Sequence, residues 1–453
     1  MRRRTAITGI GTVCGFGLGV QSFWDGLTSG RSGIRRISAF DPSGFPCRLA
    51  GEIPELDARQ HVPKSYRKAT KVMARDTEIA VVAARLAVLD ARIRTRGSED
   101  EDEGDAIDTS RLGCQIGAGL IAAETQELTQ ALATARDASG AFSWHRWGTE
   151  PGPGGEEPGR GMDNLPPLWL LKYLPNMLAC HVTIIHGAEG PSNTITCAES
   201  SGLLSLGESM RVIERGDAEL CFTGGAESKL NLMGMLRMTL AGRAGETGEA
   251  ESAAEVLRPF DPASRGGIPG EGGAILIAEE LEHARGRGAR IYAEAVGFGA
   301  GQSPPPLFPG VLDGEGRVEA DEGLIAAVEA ALADAGIGPD GVDAIVPTGL
   351  GVPRLDAAEH GALERVFGKR LGGIPLILTA PGVGNCMAGH GALAAAAGAL
   401  CLAHGSVPPS GISNGATSAT ARSPENPIEH VLVCTSALGG QNGAVVLRRW
   451  AGD

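Results

Sequence analysis

The sequence predicts an α/β fold, on three observations. Short runs of β-branched residues alternate with stretches of helical periodicity along the chain. Two of these runs lead through a turn into a helix, and each turn carries one chemically reactive side chain. The composition, with 42% apolar and 21% charged residues, allows a large buried core. These features favour alternating strands and helices over an all-helical or all-strand protein.

The predicted elements follow one another in a regular order. Residues 5–10 form a first strand, apolar spacing predicts a long helix over residues 67–92, and residues 112–116 form another strand. The two strand–turn–helix units then comprise residues 192–197 with a helix to about 215, and residues 374–378 with a helix from His390 to about 402. A hairpin is predicted from residues 431–435 and 444–447. The likeness of the two units indicates two related halves.

Two segments are predicted to be loops. Residues 98–108 are mostly acidic, and residues 148–166 are rich in Gly and Pro, which exclude a regular element. We interpret them as insertions near residues 97–108 and 145–166. The second insertion is either a plain surface loop or a lid, and the sequence leaves both interpretations open.

The composition excludes several classes of function. The net charge is −14 and no block of Lys and Arg forms a basic field, so nucleic-acid binding is not expected. The nine cysteines are irregularly spaced and contain no CxxC pair, which favours a reducing compartment over disulfides or a metal centre. The apolar run at residues 391–403 is too short to span a bilayer. We expect a cytoplasmic protein with no membrane span and no metal site.

Cys197 is the strongest candidate for a nucleophile. It lies between a β-branched strand and the start of a helix. A helix N-terminus favours a thiolate over a thiol, and its free N–H groups can hold a developing oxyanion. The alternative is a small buried apolar side chain, and the local sequence leaves the two interpretations even.

His390 is the second candidate. Glycines on both sides leave its imidazole uncrowded at a helix start, where the neutral ring can donate or accept one hydrogen bond. A capping or core histidine is the alternative. The Gly-rich turn at residues 437–442 either offers a backbone N–H to a site or is an ordinary hairpin turn.

In this order, the motifs resemble the β-ketoacyl-(acyl-carrier-protein) synthase family of condensing enzymes, over nearly the whole chain. The similar segments are RRTAITGIGTVCGFG, PSNTITCAESSG around Cys197, RPFDPASRGGIPGEGG, GHGALAAAAGAL with His390, and ALGGQNGAVVL. The resemblance implies a thiolase-like, five-layered αβαβα fold. It also implies two pseudo-symmetric halves, an N-terminal half at residues 1–287 and a C-terminal half at residues 288–453, each with a mixed five-stranded sheet.

The resemblance also implies a reaction. Cys197 would take an acyl group from the phosphopantetheine of an acyl carrier protein. The acyl-enzyme would then undergo decarboxylative Claisen condensation with a malonyl carrier, in fatty acid or polyketide biosynthesis. The N–H groups of Cys197 and Leu438 would form the oxyanion hole, and no bound cofactor is expected. The implied assembly is a homodimer, or a heterodimer with a related ketosynthase subunit.

This sequence departs at several positions from the pattern of the family it resembles. Thr348 aligns with the family's first histidine, Asn385 with its supporting lysine, and Leu438 with a Phe of the last turn. Glu199, two residues after the nucleophile, suits the helix dipole but raises the thiol pKa if it faces the sulfur. The candidate catalytic set is Cys197, His390, Thr348 and Asn385.

Two further groups are candidates for contacts with substrate and carrier. Three methionines fall where the family lines its acyl pocket, although plain interface core is an equal alternative. Four basic residues cluster in an acidic protein, either to dock an acidic carrier or as a solvated helix face. The methionines are Met233, Met235 and Met238, and the basic residues are Lys64, Arg67, Lys68 and Lys71.

Three functions are compatible with these residues. The default is a condensing ketosynthase, weakened at the decarboxylation step because losing one transition-state donor typically lowers the rate by about 10²–10³. The first alternative is a non-elongating acyltransferase that passes the acyl group to another acceptor. The second is a non-catalytic partner subunit of the chain-length-factor type, against which the retained Cys197 argues. The sequence does not fix the acyl length, the extender or the pathway.

Overall fold

The structure is a computed structural model that describes residues 2–99, 102–149, 164–165, 168–304, 320–409, 420–421 and 427–452. Most of the predicted insertion at residues 145–166 lies outside the described residues, as do residues 100–101 of the acidic insertion.

The first half of the chain contains a five-stranded mixed sheet. Its strands lie in the order β3-β2-β4-β5-β1. Strand β2 runs parallel to β3 and β4, whereas β5 is antiparallel to β4 and β1. The strands are β1 Thr5–Cys14, β2 Leu112–Ala118, β3 Ser192–Ile195, β4 Leu220–Ser228 and β5 Glu271–Glu280.

The second half repeats this strand order. Its strands lie in the order β7-β8-β9-β6, and Leu376 adds a parallel bridge on the outer side of β7. Strand β1 pairs with β6 at Thr5–Ile7 and joins the two sheets. The predicted hairpin is formed by β8 and β9. The strands are β6 Ala293–Gln302, β7 Ala344–Val346, β8 His430–Ser436 and β9 Gln441–Arg448.

The helices complete five layers, as predicted. Helices α6 and α12 lie between the two sheets, α2 and α5 cover the first sheet, and α9, with α10 packed on it, covers the second. The predicted boundary between residues 287 and 288 falls between α8 and β6. The helices are α1 Val20–Thr28, α2 Arg75–Ala91, α3 Thr125–Thr134, α4 Trp169–Lys172, α5 Met177–His186, α6 Ser201–Glu214, α7 Leu232–Leu240, α8 Leu281–Gly286, α9 Glu322–Ala335, α10 Pro353–Phe367, α11 Ala380–Val383 and α12 His390–His404.

Helices α6 and α12 approach each other closely because small residues face the contact. A Cβ atom added at Gly202 would lie 2.9 Å from the Cβ of Ala392, and one at Gly391 would lie 3.0 Å from the Cβ of Leu203. Any larger side chain would force the helices apart. This packing brings the starts of the two central helices together.

The second central helix is unusually apolar. Among the described helices, Met387–His404 alone is long and apolar enough to cross a membrane, and 83% of that segment is buried inside the protein. Its apolar surface is therefore already covered by the two sheets and α6.

The long helix predicted over residues 67–92 is divided in the structure. Lys64–Val72 forms a 3₁₀ segment, and α2 begins only at Arg75. The apolar stripe that packs on the sheet starts at Ile79, whereas residues 64–71 are mostly polar and charged. Only the second part has an apolar face to bury, so only that part forms a regular α-helix.

Candidate active site

Cys197 lies in the turn between β3 and α6. It caps the 3₁₀ turn Ala198–Ser200, in which Ala198 is left-handed with a φ of 45°. The N–H of Cys197 donates to Ser201 Oγ at 2.8 Å. The side chain is half-buried, and burial raises the pKa of the Cys197 thiol. Burial thus acts on the Cys197 thiol in the direction opposite to the thiolate preference that the helix start predicts.

A matching turn precedes α12. Cys386 caps the 3₁₀ turn Met387–Gly389, and Met387 is left-handed with a φ of 48°. The two 3₁₀ turns contact each other. The related halves thus meet at the two positions where the sequence predicts reactive side chains, Cys197 and His390.

His390 and Thr348 are joined by one hydrogen bond. His390 Nε2 lies 3.0 Å from the Thr348 carbonyl oxygen, and because a carbonyl only accepts, we assign the hydrogen to Nε2. Burial lowers the pKa of His390, so the ring is neutral at pH 7. Its Nδ1 atom is buried and has no hydrogen-bond partner within the described part of the chain.

The Thr348 hydroxyl is held by the protein itself. It donates to Glu359 Oε1 at 2.8 Å and accepts from the N–H of Ser436 at 2.9 Å. Glu359 also accepts the N–H groups of Thr348 and Gly349, and burial raises the pKa of its carboxyl to about 7. The single hydroxyl hydrogen of Thr348 is therefore not free to donate to a substrate.

A buried ion pair lies beside the nucleophile turn. Glu199 and Arg243 are 0% and 1% exposed, and Arg243 Nη1 pairs with Glu199 Oε1. The Asn385 side-chain amide donates to the same oxygen at 2.9 Å, and the N–H of Leu438 donates to Oε2 at 3.4 Å. Burial lowers the pKa of the Arg243 guanidinium, and Glu199 opposes that shift. Three segments distant in sequence therefore converge on one carboxylate.

Sequence reasoning singled out Glu199 and Asn385 but missed Arg243. The arginine lies 44 residues from its partner, in a loop with no recognisable motif. The only available signal was an acidic residue two positions after the predicted nucleophile, because a carboxylate buried there requires a cation nearby.

Both N–H groups predicted to form the oxyanion hole have internal acceptors. The N–H of Cys197 donates to Ser201, and the N–H of Leu438 faces the Glu199 carboxylate. A carboxylate carries the same charge as a tetrahedral oxyanion and competes for the same donor. Burial is the cause of the raised thiol pKa of Cys197, and the Glu199 side chain is directed to Arg243.

The remaining predicted residues belong to other elements. Met235 and Met238 are buried on α7 and Met233 is half-buried. Met235 packs in a small apolar cluster with Ile37 and Cys47. Among the described residues no group of three His, Cys, Asp or Glu side chains is placed to hold a metal ion. The four basic residues are exposed on the 3₁₀ segment, and none forms an ion pair with a described residue: Lys64, Arg67, Lys68 and Lys71.

Comparison with known proteins assigns both halves to one family. The family model of the beta-ketoacyl synthase N-terminal domain matches residues 2–284, and that of the C-terminal domain matches residues 313–412. The 3-oxoacyl-[acyl-carrier-protein] synthase 2 of Staphylococcus aureus is 30% identical over 407 residues, covering 90% of this chain and 87% of that protein. A Streptomyces coelicolor protein, named as an actinorhodin polyketide beta-ketoacyl synthase 2, is 30% identical over 452 residues, covering 98% of each chain.

Solved structures agree with this assignment. The ishigamide ketosynthase/chain length factor matches with a TM-score of 0.77 and 26% identity, covering 100% of both chains. A beta-ketoacyl synthase from Burkholderia phymatum matches with a TM-score of 0.77 and 25% identity, covering 99% of this chain and 100% of that one. These likenesses confirm the predicted thiolase-like fold. The chain therefore belongs to the β-ketoacyl synthase family.

Proposed function

We propose that this chain is the non-condensing subunit of a ketosynthase pair. It binds an active β-ketoacyl synthase and helps to shape the acyl chain made in fatty acid or polyketide synthesis. One observation carries the proposal: the Leu438 N–H, which a condensing enzyme needs for its oxyanion, faces the buried carboxylate of Glu199.

Acylation of Cys197 is disfavoured by charge and by missing donors. Attack on a thioester carbonyl places a negative charge on its oxygen, and here the Glu199 carboxylate already stands at the donor for that charge. Removing one oxyanion-hole donor typically lowers the rate by about 10²–10³. The raised pKa of Cys197 lowers the thiolate fraction at pH 7 as well.

Decarboxylation is disfavoured for a separate reason. The enolate formed from a malonyl thioester needs two donors aimed at its oxygen, and the Thr348 hydroxyl gives its hydrogen to Glu359. The Nε2–H of His390 points at the Thr348 carbonyl oxygen. Neither side chain offers a hydrogen to an enolate without rearrangement, which supports a non-condensing role over the family default.

Pairing with a second subunit is supported by the edge of the first sheet. Strand β3 is the outermost strand, and Ser192 and Asn193 are exposed. Ile184 on α5, which packs beside β3, is 54% exposed. An open strand edge next to exposed apolar side chains favours association. The name of the ishigamide relative joins a ketosynthase with a chain length factor, which supports an unlike partner over a second copy.

The acyl groups in this proposal are carried on phosphopantetheine, because the Staphylococcus aureus relative is named for an acyl-carrier-protein substrate. The exposed basic cluster is the proposed docking surface for that acidic carrier: Lys64, Arg67, Lys68 and Lys71. Attraction across such a surface weakens as ionic strength rises.

Simple acyl transfer is the second candidate, and one observation favours it. Cys197 is one of two cysteines that are only partly buried, whereas the other seven are buried. In this function the acyl group would leave Cys197 for a thiol, amine or hydroxyl rather than for a malonyl carrier.

The test compares the chain alone with the chain paired to an active β-ketoacyl synthase of the same organism. Product from acyl carrier and malonyl carrier is followed by intact-protein mass spectrometry. We expect no β-ketoacyl product from the chain alone. Product from the pair should be unchanged by Cys197→Ala in this chain and abolished by replacing the partner's nucleophile. Elongation by the chain alone, lost in Cys197→Ala, overturns the proposal.

A further inference from the structure

The donors around Glu199 form an anion-binding site that the carboxylate of Glu199 itself occupies. The Arg243 guanidinium, the Asn385 amide and the Leu438 N–H all point at the carboxylate. They come from three separate segments, after α7, before α12 and between β8 and β9. Helix capping and local turns do not account for such convergence, since no two of these donors are neighbours in sequence.

Arg243 has donor capacity that Glu199 does not use. Its Nε and Nη2 atoms are buried and have no hydrogen-bond partner within the described residues. A guanidinium that is 1% exposed, with two nitrogens that have no acceptor, is unfavourable unless an acceptor reaches it. The Arg243 guanidinium therefore has more N–H donors than the Glu199 carboxylate accepts, and a further anionic group could accept from them.

The position of Glu199 makes its carboxylate a stand-in for the reaction's own anion. Glu199 lies two residues after Cys197, inside the short 3₁₀ turn that starts α6. The side chain of Glu199 accepts the Leu438 N–H at 3.4 Å, and the family resemblance assigns this N–H to an oxyanion formed on Cys197. A thioester bound at Cys197 would therefore meet a donor that a carboxylate already occupies.

We infer that Glu199 is an autoinhibitory plug that keeps Cys197 from accepting acyl groups, and that removing it opens a binding site for small carboxylates. This inference rests on the proposed function and names the contact that silences the site. The ligands of the opened site are Arg243, Asn385 and the Leu438 N–H.

The reaction that Glu199 would prevent is transfer of an acyl group from the carrier thioester to Cys197. The Cys197 sulfur first forms a bond to the acyl carbonyl carbon, and the bond from that carbon to the carrier's phosphopantetheine sulfur then breaks. The thiol proton of Cys197 ends on the leaving thiol. Between the two events the carbonyl oxygen is an anion that needs the Leu438 N–H.

The test uses two variants with opposite risks. Glu199→Ala opens the site but leaves Arg243 without a counter-charge, and Glu199→Gln keeps the shape and an acceptor while removing the charge. The rate of Cys197 acylation by acyl-carrier thioester is measured by intact-protein mass spectrometry. We expect a gain of at least tenfold in Glu199→Ala and a smaller gain in Glu199→Gln.

Acetate provides a readout that does not depend on acyl transfer. In Glu199→Ala, sodium acetate should raise the melting temperature and slow acylation, whereas sodium chloride at equal ionic strength should not. The unmodified chain should respond to neither salt. Glu279→Gln is the matched control, since Glu279 is also 0% exposed and paired with an arginine, Arg287, away from Cys197.

The outcomes separate this inference from the proposed function. A variant counts as folded if it shows a melting transition. If either folded variant is acylated at Cys197 no faster than the unmodified chain, the inference that Glu199 inhibits acylation is wrong. An acetate response that is equal in the unmodified chain contradicts the site. If neither variant folds, Glu199→Asp, which retains the charge and retracts the carboxylate by one methylene, should still speed acylation. Elongation by the unmodified chain alone refutes the proposed function, whatever the variants do.

Discussion

Removing the cation of the buried pair should destabilise the protein measurably. In Arg243→Met the Glu199 carboxylate stays 0% exposed, with two neutral donors left, the Asn385 amide and the Leu438 N–H. Breaking a buried ion pair on one side costs about 3–5 kcal/mol. The two remaining donors favour the lower end, about 3 kcal/mol.

This loss converts into a small but measurable shift in melting temperature. At about 2.1 cal/mol/K per residue, the 453 residues have an unfolding entropy of about 1 kcal/mol/K. A loss of about 3 kcal/mol therefore lowers the Tm by roughly 3 °C, which scanning calorimetry resolves. Arg365→Met is the matched control, because Arg365 and Glu322 are 59% and 65% exposed and such pairs contribute about 0–1 kcal/mol.

The double variant decides whether the pair is the cause. Combining Arg243→Met with Glu199→Gln removes both charges, so the double variant should melt above Arg243→Met alone. A Tm for Arg243→Met within about 1 °C of the unmodified chain refutes the reasoning. So does a double variant that melts lower than Arg243→Met, because the effects would then be additive.

Three further predictions follow from exposure and charge. Iodoacetamide should label only Cys180 and Cys197 in the folded protein, because the other seven cysteines are buried, and peptide mapping after alkylation checks this. Burial lowers the pKa of His186 to about 3, so its folded pKa lies below the unfolded value of about 6.5 and stability falls as pH drops below 6.5. Between pH 6.5 and pH 5 the unmodified protein should lose about 2 kcal/mol of stability through His186. His186→Gln lacks this titration, so its Tm should fall by about 2 °C less than that of the unmodified protein over the same range. Equal falls in Tm would contradict the reasoning. The double variant Lys64→Glu, Lys68→Glu should weaken binding of the acyl carrier protein more than tenfold at low salt and by a smaller factor at high salt, as measured by titration calorimetry. Lys369 is also an exposed lysine in a 3₁₀ segment, and Lys369→Glu should leave carrier binding unchanged.

Several strands could be predicted from local sequence patterns, because short apolar runs mark buried strands in both halves. The strands of residues 112–116 and 431–435 lie within Leu112–Ala118 and His430–Ser436. The helix over residues 67–92 was predicted too long at its start, because charged residues at helical spacing imitate a helix face without an apolar side to pack. Apolar periodicity therefore located elements more reliably than polar periodicity.

The site was predictable only where its residues are neighbours in a motif. Cys197 and His390 each begin a central helix behind a small-residue turn, and such turns are visible in sequence. The orientation of the Glu199 side chain could not be predicted, because it depends on the ion pair with Arg243, and only tertiary packing brings the two residues together. The same limit applied to Leu438, whose N–H was predicted as an open donor and lies against Glu199.

Restoring the family's residues should not by itself restore condensation. In Thr348→His with Asn385→Lys, the new ammonium group stands beside the Glu199 carboxylate, to which the Asn385 amide already donates at 2.9 Å. It would pair with Glu199 and hold that carboxylate against the Leu438 N–H more firmly. The oxyanion donor therefore stays occupied in the double variant.

Adding Glu199→Ala to those two substitutions should release the donor. We expect the triple variant to form β-ketoacyl product from acyl carrier and malonyl carrier at a rate about 10²–10³ above that of the double variant. Mass spectrometry of the carrier measures both rates, and Cys197→Ala in the triple background should abolish the product. Equal rates of product formation in the double and triple variants would show that the Glu199 carboxylate has no effect once the imidazole and ammonium groups are present. The silence of Cys197 would then come from Thr348 and Asn385 rather than from the carboxylate two residues away.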